Sequence, residues 1–267
     1  MTLDIRSTLR DWGFNPDEVT VRTIEGDDGL EKIQLRLDLG LMQMEVDGRP
    51  DGERVEGFDS WFELHRDRQR QHDAENPDGA PYRLKPEDCA NLLREGVQYY
   101  HRYVSFWALS RYELCARDTE RNLQLILFVR DHAKLERDKL QFDQWRPYVA
   151  MMHARAVATP MLEAGHREAA IQAIDIGVHR IERFLADYGR EEQADQVNEL
   201  SFLLRWRREI ADGGKRKLPK PEDYVPDDPL DQLRERLAEA IEAERYEEAA
   251  NLRDELNRLE NPPPPGG

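Results

Sequence analysis

The sequence predicts a mainly α-helical protein with a small N-terminal α+β unit, a body of helical hairpins, and a C-terminal antiparallel two-helix hairpin. Three observations carry this reading. Of the 267 residues, 35% are charged and 39% hydrophobic, a balance that suits helices burying narrow stripes better than a sandwich of short strands. Strict apolar alternation occurs only before Gly48, whereas from Pro86 to 210 apolar residues recur at helical spacing, with no further proline except Pro147 and Pro160. At about 150 residues per domain the length corresponds to about two domains.

Residues 1–72 read as the α+β unit. Leu3 to Trp12 are expected to form a short helix closed by Gly13. Val19 and Val21, then Ile33, Leu35, Leu37 and Leu39, alternate with polar neighbours as a strand with one buried face does. Gly26-Asp-Asp-Gly29 between them is a hairpin turn. Past Gly40 the apolar set moves to Met42, Met44 and Val46, so a bulge or tight turn must re-aim the chain there. Gly48-Arg-Pro-Asp-Gly52 ends the strand region. Ser60 and Glu63 have the capping-box spacing that opens a helix.

Turn formers without apolar periodicity fill 73–81, a natural linker. The helical domain then spans 82–212. Leu92, Leu93, Val97, Tyr100, Tyr103, Val104 and Trp107 are expected to form one buried stripe, and Leu123, Leu125, Leu127, Phe128 and Val129 another. At 162–174, Gly165 closes one helix while Ala170, Ile171 and Ile174 open the buried face of the next. This helix pair resembles the central part of a tetratricopeptide repeat. The resemblance covers about one unit of ~34 residues, lacks the usual tryptophan and terminal proline positions, and has no second clear copy at a fixed period.

Residues 213–228, rich in glycine, proline and charge, are expected to be a flexible linker, and the proline run of 261–267 a disordered tail. Between them, 229–260 form a self-contained unit. Asp228 is an N-cap before Pro229, and Leu230, Leu233, Leu237, Ala240 and Ile241 share one helical face. The chain reverses at Glu244 and Arg245. Tyr246, Ala249, Ala250, Leu252, Leu256 and Leu259 make the second face, with small alanines where two helices approach closely. About 31 residues cannot bury both stripes alone, so apolar surface remains for a partner.

Residues 233–259, with the run Tyr246-Glu-Glu-Ala-Ala-Asn-Leu-Arg-Asp254, closely resemble the UVR motif of the nucleotide-excision repair proteins UvrB and UvrC. The motif also occurs in the bacterial arginine-kinase activator and in some Clp-type chaperone ATPases. The resemblance implies a protein-docking hairpin that pairs with a second UVR hairpin or with a UvrB-, UvrC- or Clp-type partner. It further implies that Tyr246 is the aromatic anchor, and that Arg253 with Asp254 is the polar pair fixing the hairpin. The catalytic parts of those relatives do not carry over. Gly213-Gly-Lys-Arg has neither the spacing nor the hydroxyl of a phosphate loop. Two isolated cysteines, Cys89 and Cys115, cannot form paired Cys-x-x-Cys zinc sites and read as buried thiols.

Other chemistry is sparse. No nucleophile elbow occurs, and carboxylates are too abundant for an acid–base pair to stand out, so the expectation is a non-enzyme without cofactor or metal. Glu163 and His166, and Asp175 with His179, have bundle-metal spacing, but a di-iron site needs the motif twice and this copy straddles a turn. The histidines at 65, 72, 101, 132 and 153 show no ligating spacing. Arg205, Arg207 and Arg208 around Trp206, followed by Lys215, Arg216, Lys217 and Lys220, form the one basic concentration containing an aromatic. It is the candidate nucleic-acid contact of an alternative reading, a DNA-damage-response component, and its bland counterpart is a helix C-terminus that favours cations. A further alternative is a regulator of a Clp-type protease or kinase system. The formal charge of −16 opposes nonspecific phosphate binding. No run of about 18 apolar residues and no leader-like start occurs, so a cytoplasmic protein without membrane contact is expected.

Overall fold

The structure, a computed structural model, describes residues 4–213. The chain divides into two units, Met1–Arg216 and Lys217–Gly267, and the described residues belong to the first. The expected 229–260 hairpin, its tether beyond Gly213 and the 261–267 tail lie outside the described residues. Among the described residues there are eight α-helices and one three-stranded sheet.

Of the first expected helix, only α1 (Arg6–Leu9) is helical. The sheet is an antiparallel meander of β1 (Val21–Glu25), β2 (Glu31–Leu37) and β3 (Gly40–Glu45), with β2 in the middle. The β1–β2 loop closes through the Gly26 N–H, which donates to the Leu30 carbonyl at 2.8 Å. Gly29 sits there at φ +74°, where a side chain would be strained. The phase change at Gly40 is a two-residue turn: Leu37 pairs with Gly40, and Met42 and Met44 stand opposite Leu35 and Ile33 on one apolar face. Leu39, expected on that face, sits instead at the turn and is 90% exposed. Val19 precedes β1 and is also exposed.

Both faces of β2 are covered, which a one-face alternation does not anticipate. On the second face Arg22, Gln34 and Gln43 are in register and form a side-chain ladder of hydrogen bonds. The chain before β1 lies over it: Arg36 donates to the Trp12 carbonyl at 2.9 Å, and the Arg22 guanidinium stacks 4.0 Å from the Trp12 ring.

Helix α2 (Trp61–Glu75) begins with Ser60 Oγ accepting from the Glu63 N–H at 3.1 Å. It runs through Glu75 into the stretch read as linker, stopping where Pro77 disfavours a helical Asn76. Then follow α3 (Pro86–Ala108), α4 (Tyr112–His132), α5 (Glu136–Asp143), α6 (Arg146–Glu163), α7 (Arg167–Asp187), a 3-10 turn (Glu191–Gln196) and α8 (Asn198–Ala211). Helix α6 is central, packed against α4, α7 and α8. Buried on most sides, it shows no single stripe. The expected pair around Gly165 is the α6–α7 hairpin: Gly165 takes φ +80° and the His166 N–H donates back to the Met161 carbonyl at 2.7 Å. Gly177 lets the two helices approach, since a Cβ there would stand 2.5 Å from the Ala154 Cβ.

The stripe on α3 differs from the expected one. Leu92 and Tyr103 are buried, but Leu93, Tyr100, Val104 and Trp107 are half-buried and Val97 is exposed. The buried face instead carries Cys89, Glu95, Tyr99, Arg102, Ser105 and Phe106. On α4, Leu123, Leu125 and Val129 are buried as expected, Phe128 is half-buried and Leu127 exposed. The cause on α3 is a pair of charged residues within the buried face, which an apolar reading passes over.

Candidate functional site

Those charged residues belong to a network joining the sheet, α2, α3 and α4. Arg102 donates through Nε and Nη2 to the Asp118 carboxylate at 2.6 and 3.0 Å, both side chains being 1% exposed. Its Nη1 donates to the Glu45 and Gly48 carbonyls at 3.0 and 2.9 Å, anchoring the end of β3 and the following turn to the helices. Arg117 Nε donates to the second oxygen of the same carboxylate at 2.9 Å. About two turns before Arg102 on α3, Glu95 accepts from the Trp61 and Phe62 N–H groups at 2.7 and 3.1 Å and from Arg121. This carboxylate satisfies the α2 N-terminus and complements its dipole. The Tyr99 ring lies between Arg102 and Arg121, 4.7 and 3.9 Å from the guanidinium carbons. Both oxygens of Glu95 and of Asp118 are thus engaged, an arrangement built for anchoring.

A second buried ion cluster binds α5, α6 and α7. Asp143 accepts from the Tyr188 hydroxyl at 2.7 Å and from Arg146 at 3.0 Å, while Arg146 also reaches Asp187 at 2.7 Å. Burial pushes the Asp143 carboxyl above the ordinary carboxylate range, and burial together with the Asp143 bond moves Tyr188 up to about 12. Two of the histidines read as ordinary are built into helix packing. His65 Nδ1 stands 2.9 Å from the Tyr82 hydroxyl and Nε2 3.7 Å from Asp88. His153 Nδ1 lies 3.2 Å from both Thr119 Oγ1 and the Ala116 carbonyl. Burial lowers the pKa of each. Cys89 and Cys115 are buried thiols, Cys89 pushed by burial up to about 12 and Cys115 also raised.

Of the metal-like spacings, the Asp175 and His179 side chains have local partners. Asp175 is bound by Arg207, and His179 lies 3.9 Å from Glu182. Among the described residues no group of three or more His, Cys, Asp or Glu side chains is placed to hold a metal ion. Of the basic stretch, Arg205, Arg207 and Arg208 lie on α8, while Lys215, Arg216 and Lys217 are outside the described residues. Arg207 grips Asp175 of α7 through two nitrogens, Arg205 sits 6.0 Å over the Phe202 ring, and Arg208 donates to the Leu204 carbonyl one turn back. Trp206, the aromatic of that stretch, is 5% exposed and packs into the body, so it offers no stacking face to a base.

The expected partner-binding set of Leu233, Leu237, Ala240, Tyr246, Ala249, Ala250, Leu252, Arg253, Leu256 and Leu259 lies outside the described residues. Residues 227–261 match the family model described as the UvrB/uvrC motif. No curated protein and no solved structure matches the chain. Among the described residues no helix is long and apolar enough to cross a membrane.

Proposed function

We propose that this protein is a non-catalytic adaptor whose 227–261 segment docks a protein partner, with a connection to nucleotide excision repair. The observation that carries the reading is the match of that segment to the UvrB/uvrC motif. In it Leu233, Leu237, Tyr246, Leu252, Leu256 and Leu259 recur at helical spacing, more apolar surface than one short hairpin buries. Burial of these side chains against another helical surface, completing a four-helix arrangement, is the proposed mechanism. The body supports the reading through what its polar groups do: the buried carboxylates Glu95 and Asp118 are committed to guanidinium and backbone donors. Its two thiols are held protonated.

The test compares affinity capture from lysate by the full chain, by a chain ending at Asp227, and by full-length Leu256→Asp and Tyr246→Ala variants. The expected result is a set of proteins captured by the full chain and lost from all three, with the thermal unfolding of the body unchanged. An identical captured set for all four proteins refutes the docking role.

A further inference from the structure

We propose that His65 is an acid-sensitive latch: when its imidazole takes up a proton, the second half of α2 and the 76–82 connection come away from α3 and α4 while the rest of the body stays folded. The buried residues of α2 are confined to its start, Phe62, Leu64 and His65. From His65 onward its contacts with the connection gather on Tyr82. His65 Nδ1 stands 2.9 Å from the Tyr82 hydroxyl, the His72 ring lies 5.8 Å from the Tyr82 ring, and His72 Nε2 meets the Ala80 carbonyl at 2.8 Å. Tyr82 in turn packs its ring 5.9 Å from His132 at the end of α4. Tyr82 is therefore the catch between α2 and the other helices, and His65 is bonded to its hydroxyl.

Of these three histidines, His65 occupies a site built for the neutral ring. It is 0% exposed, and its Nε2 has no hydrogen-bond partner. Asp88 of α3 faces that nitrogen at 3.7 Å, beyond hydrogen-bond reach, and its other oxygen accepts from the Lys85 N–H. Glu95 of α3 is taken up by the α2 N-terminus and Arg121. Glu56, ahead of α2, is paired with Arg68, whose own charge opposes a cation at His65. Cys89 of α3, near Tyr82, is a thiol held protonated by burial, and from α4 the facing group is His132. Burial outweighs the nearby carboxylates and lowers the His65 pKa. The Tyr82 hydroxyl, its pKa raised by burial, keeps its hydrogen and donates to Nδ1 while the Nε2 hydrogen points toward Asp88. A proton on Nδ1 turns that acceptor into a donor and strands a charge away from water. The His72 contact is indifferent, because a neutral ring with hydrogen on Nε2 and the cation both donate to the Ala80 carbonyl. In an opened connection His65 meets water and ionises near the ordinary value of about 6.5. The open form thus binds the proton first, so closure is complete above about pH 6.5 and is lost as pH falls through the lower folded value.

The experiment uses the full-length chain. Amide exchange of 66–82 is read by mass spectrometry at pH 7 and pH 5 as a ratio to exchange in α6, which cancels the intrinsic pH dependence of exchange. Ring C–H signals in NMR follow the His65 titration and are assigned with His65→Gln. The expected result is His65 titrating below about 6.5 and a ratio that rises about tenfold on acidification, each pH unit supplying up to a factor of about ten per proton. His65→Gln should flatten that rise. Tyr82→Phe, which keeps the ring and removes the hydroxyl, should raise the ratio about fivefold already at pH 7, the loss of one ordinary hydrogen bond. A ratio equal at the two pH values, His65 titrating above about 6.5 as an ion pair closed onto Asp88 would, or a full acid response in His65→Gln overturns the latch. Tyr82→Phe with wild-type exchange at pH 7 overturns it as well.

Discussion

Asp118→Ala isolates the bond that fastens the sheet to the helices. In the native protein Arg102 is 1% exposed and its positive charge is balanced by the Asp118 carboxylate at 2.6 and 3.0 Å. Removing the carboxylate leaves a buried guanidinium with two backbone carbonyls and no anion, and breaking a buried pair from one side costs about 3–5 kcal/mol. For a unit of this size each kcal/mol moves the midpoint by about 2–4 °C, so Tm should fall by about 6–20 °C. The opposite deletion, Arg102→Met, is milder electrostatically because Asp118 keeps Arg117 at 2.9 Å. It does orphan the Glu45 carbonyl, at about 1–3 kcal/mol. The double variant should therefore be less destabilised than the sum of the two single ones, since the stranded cation is gone.

Urea unfolding of the four proteins supplies the cycle, and amide exchange adds the location. Exchange at β3 and at the 46–52 turn should accelerate in Arg102→Met before exchange in α6 does, because Arg102 holds that turn through its Glu45 and Gly48 contacts. A cost below about 1 kcal/mol for Asp118→Ala, against the range for a broken buried pair, or strictly additive single variants, would refute the argument that this pair anchors the sheet.

Gly177→Ala should destabilise by about 1–3 kcal/mol in urea melts, since its Cβ would meet Ala154 at 2.5 Å and Leu203 at 3.1 Å; no loss of stability would contradict the α6–α7 approach. His65 and His153 have pKa values lowered by burial from the ordinary 6.5. The unfolded chain thus binds protons first, so their contribution is complete above about pH 6.5 and is lost as pH falls through the folded values. Melting temperature should decline from pH 7 toward pH 5, with a shallower decline in the His65→Gln, His153→Gln double variant; equal slopes would exclude these histidines as the cause. Asp143, raised by burial, acts in the opposite sense, favouring the fold at acidic pH and losing that contribution as pH rises through its folded pKa. Cys89 and Cys115 should resist an aromatic disulfide reagent at pH 8 until denaturant is added, and rapid labelling of the native protein would show the thiols to be accessible.

The parts of the fold legible in sequence are those whose signal is local. Gly26-Asp-Asp-Gly29, the phase change at Gly40, the Ser60 cap and the Gly165 break each encode a backbone geometry within a few residues, and each lies at a turn or helix end. What escaped was decided at a distance. Glu95 caps a helix that starts 34 residues earlier, and Arg102 holds a turn 54 residues away. A reading that selects apolar residues shifts the α3 stripe onto Val97 and Trp107 and passes over Glu95, Tyr99, Arg102 and Phe106. Those four repeat at the i, i+4, i+7 and i+11 spacing of a buried face. The usable signal was that spacing with charges placed inside it, since a charge on a core face requires a partner of opposite sign on the facing helix, as Asp118 and Arg121 supply.

The same distinction separates the two halves of the functional argument. In the body, Asp118, Glu95 and Asp143 bind arginines within the unit, and Arg207 binds Asp175, so these charges close on one another across helices and specify one arrangement of them. In 227–261 the charges do not balance, and seven acidic side chains have no basic counterpart within the segment. The closed network accounts for the single arrangement of helices in the body.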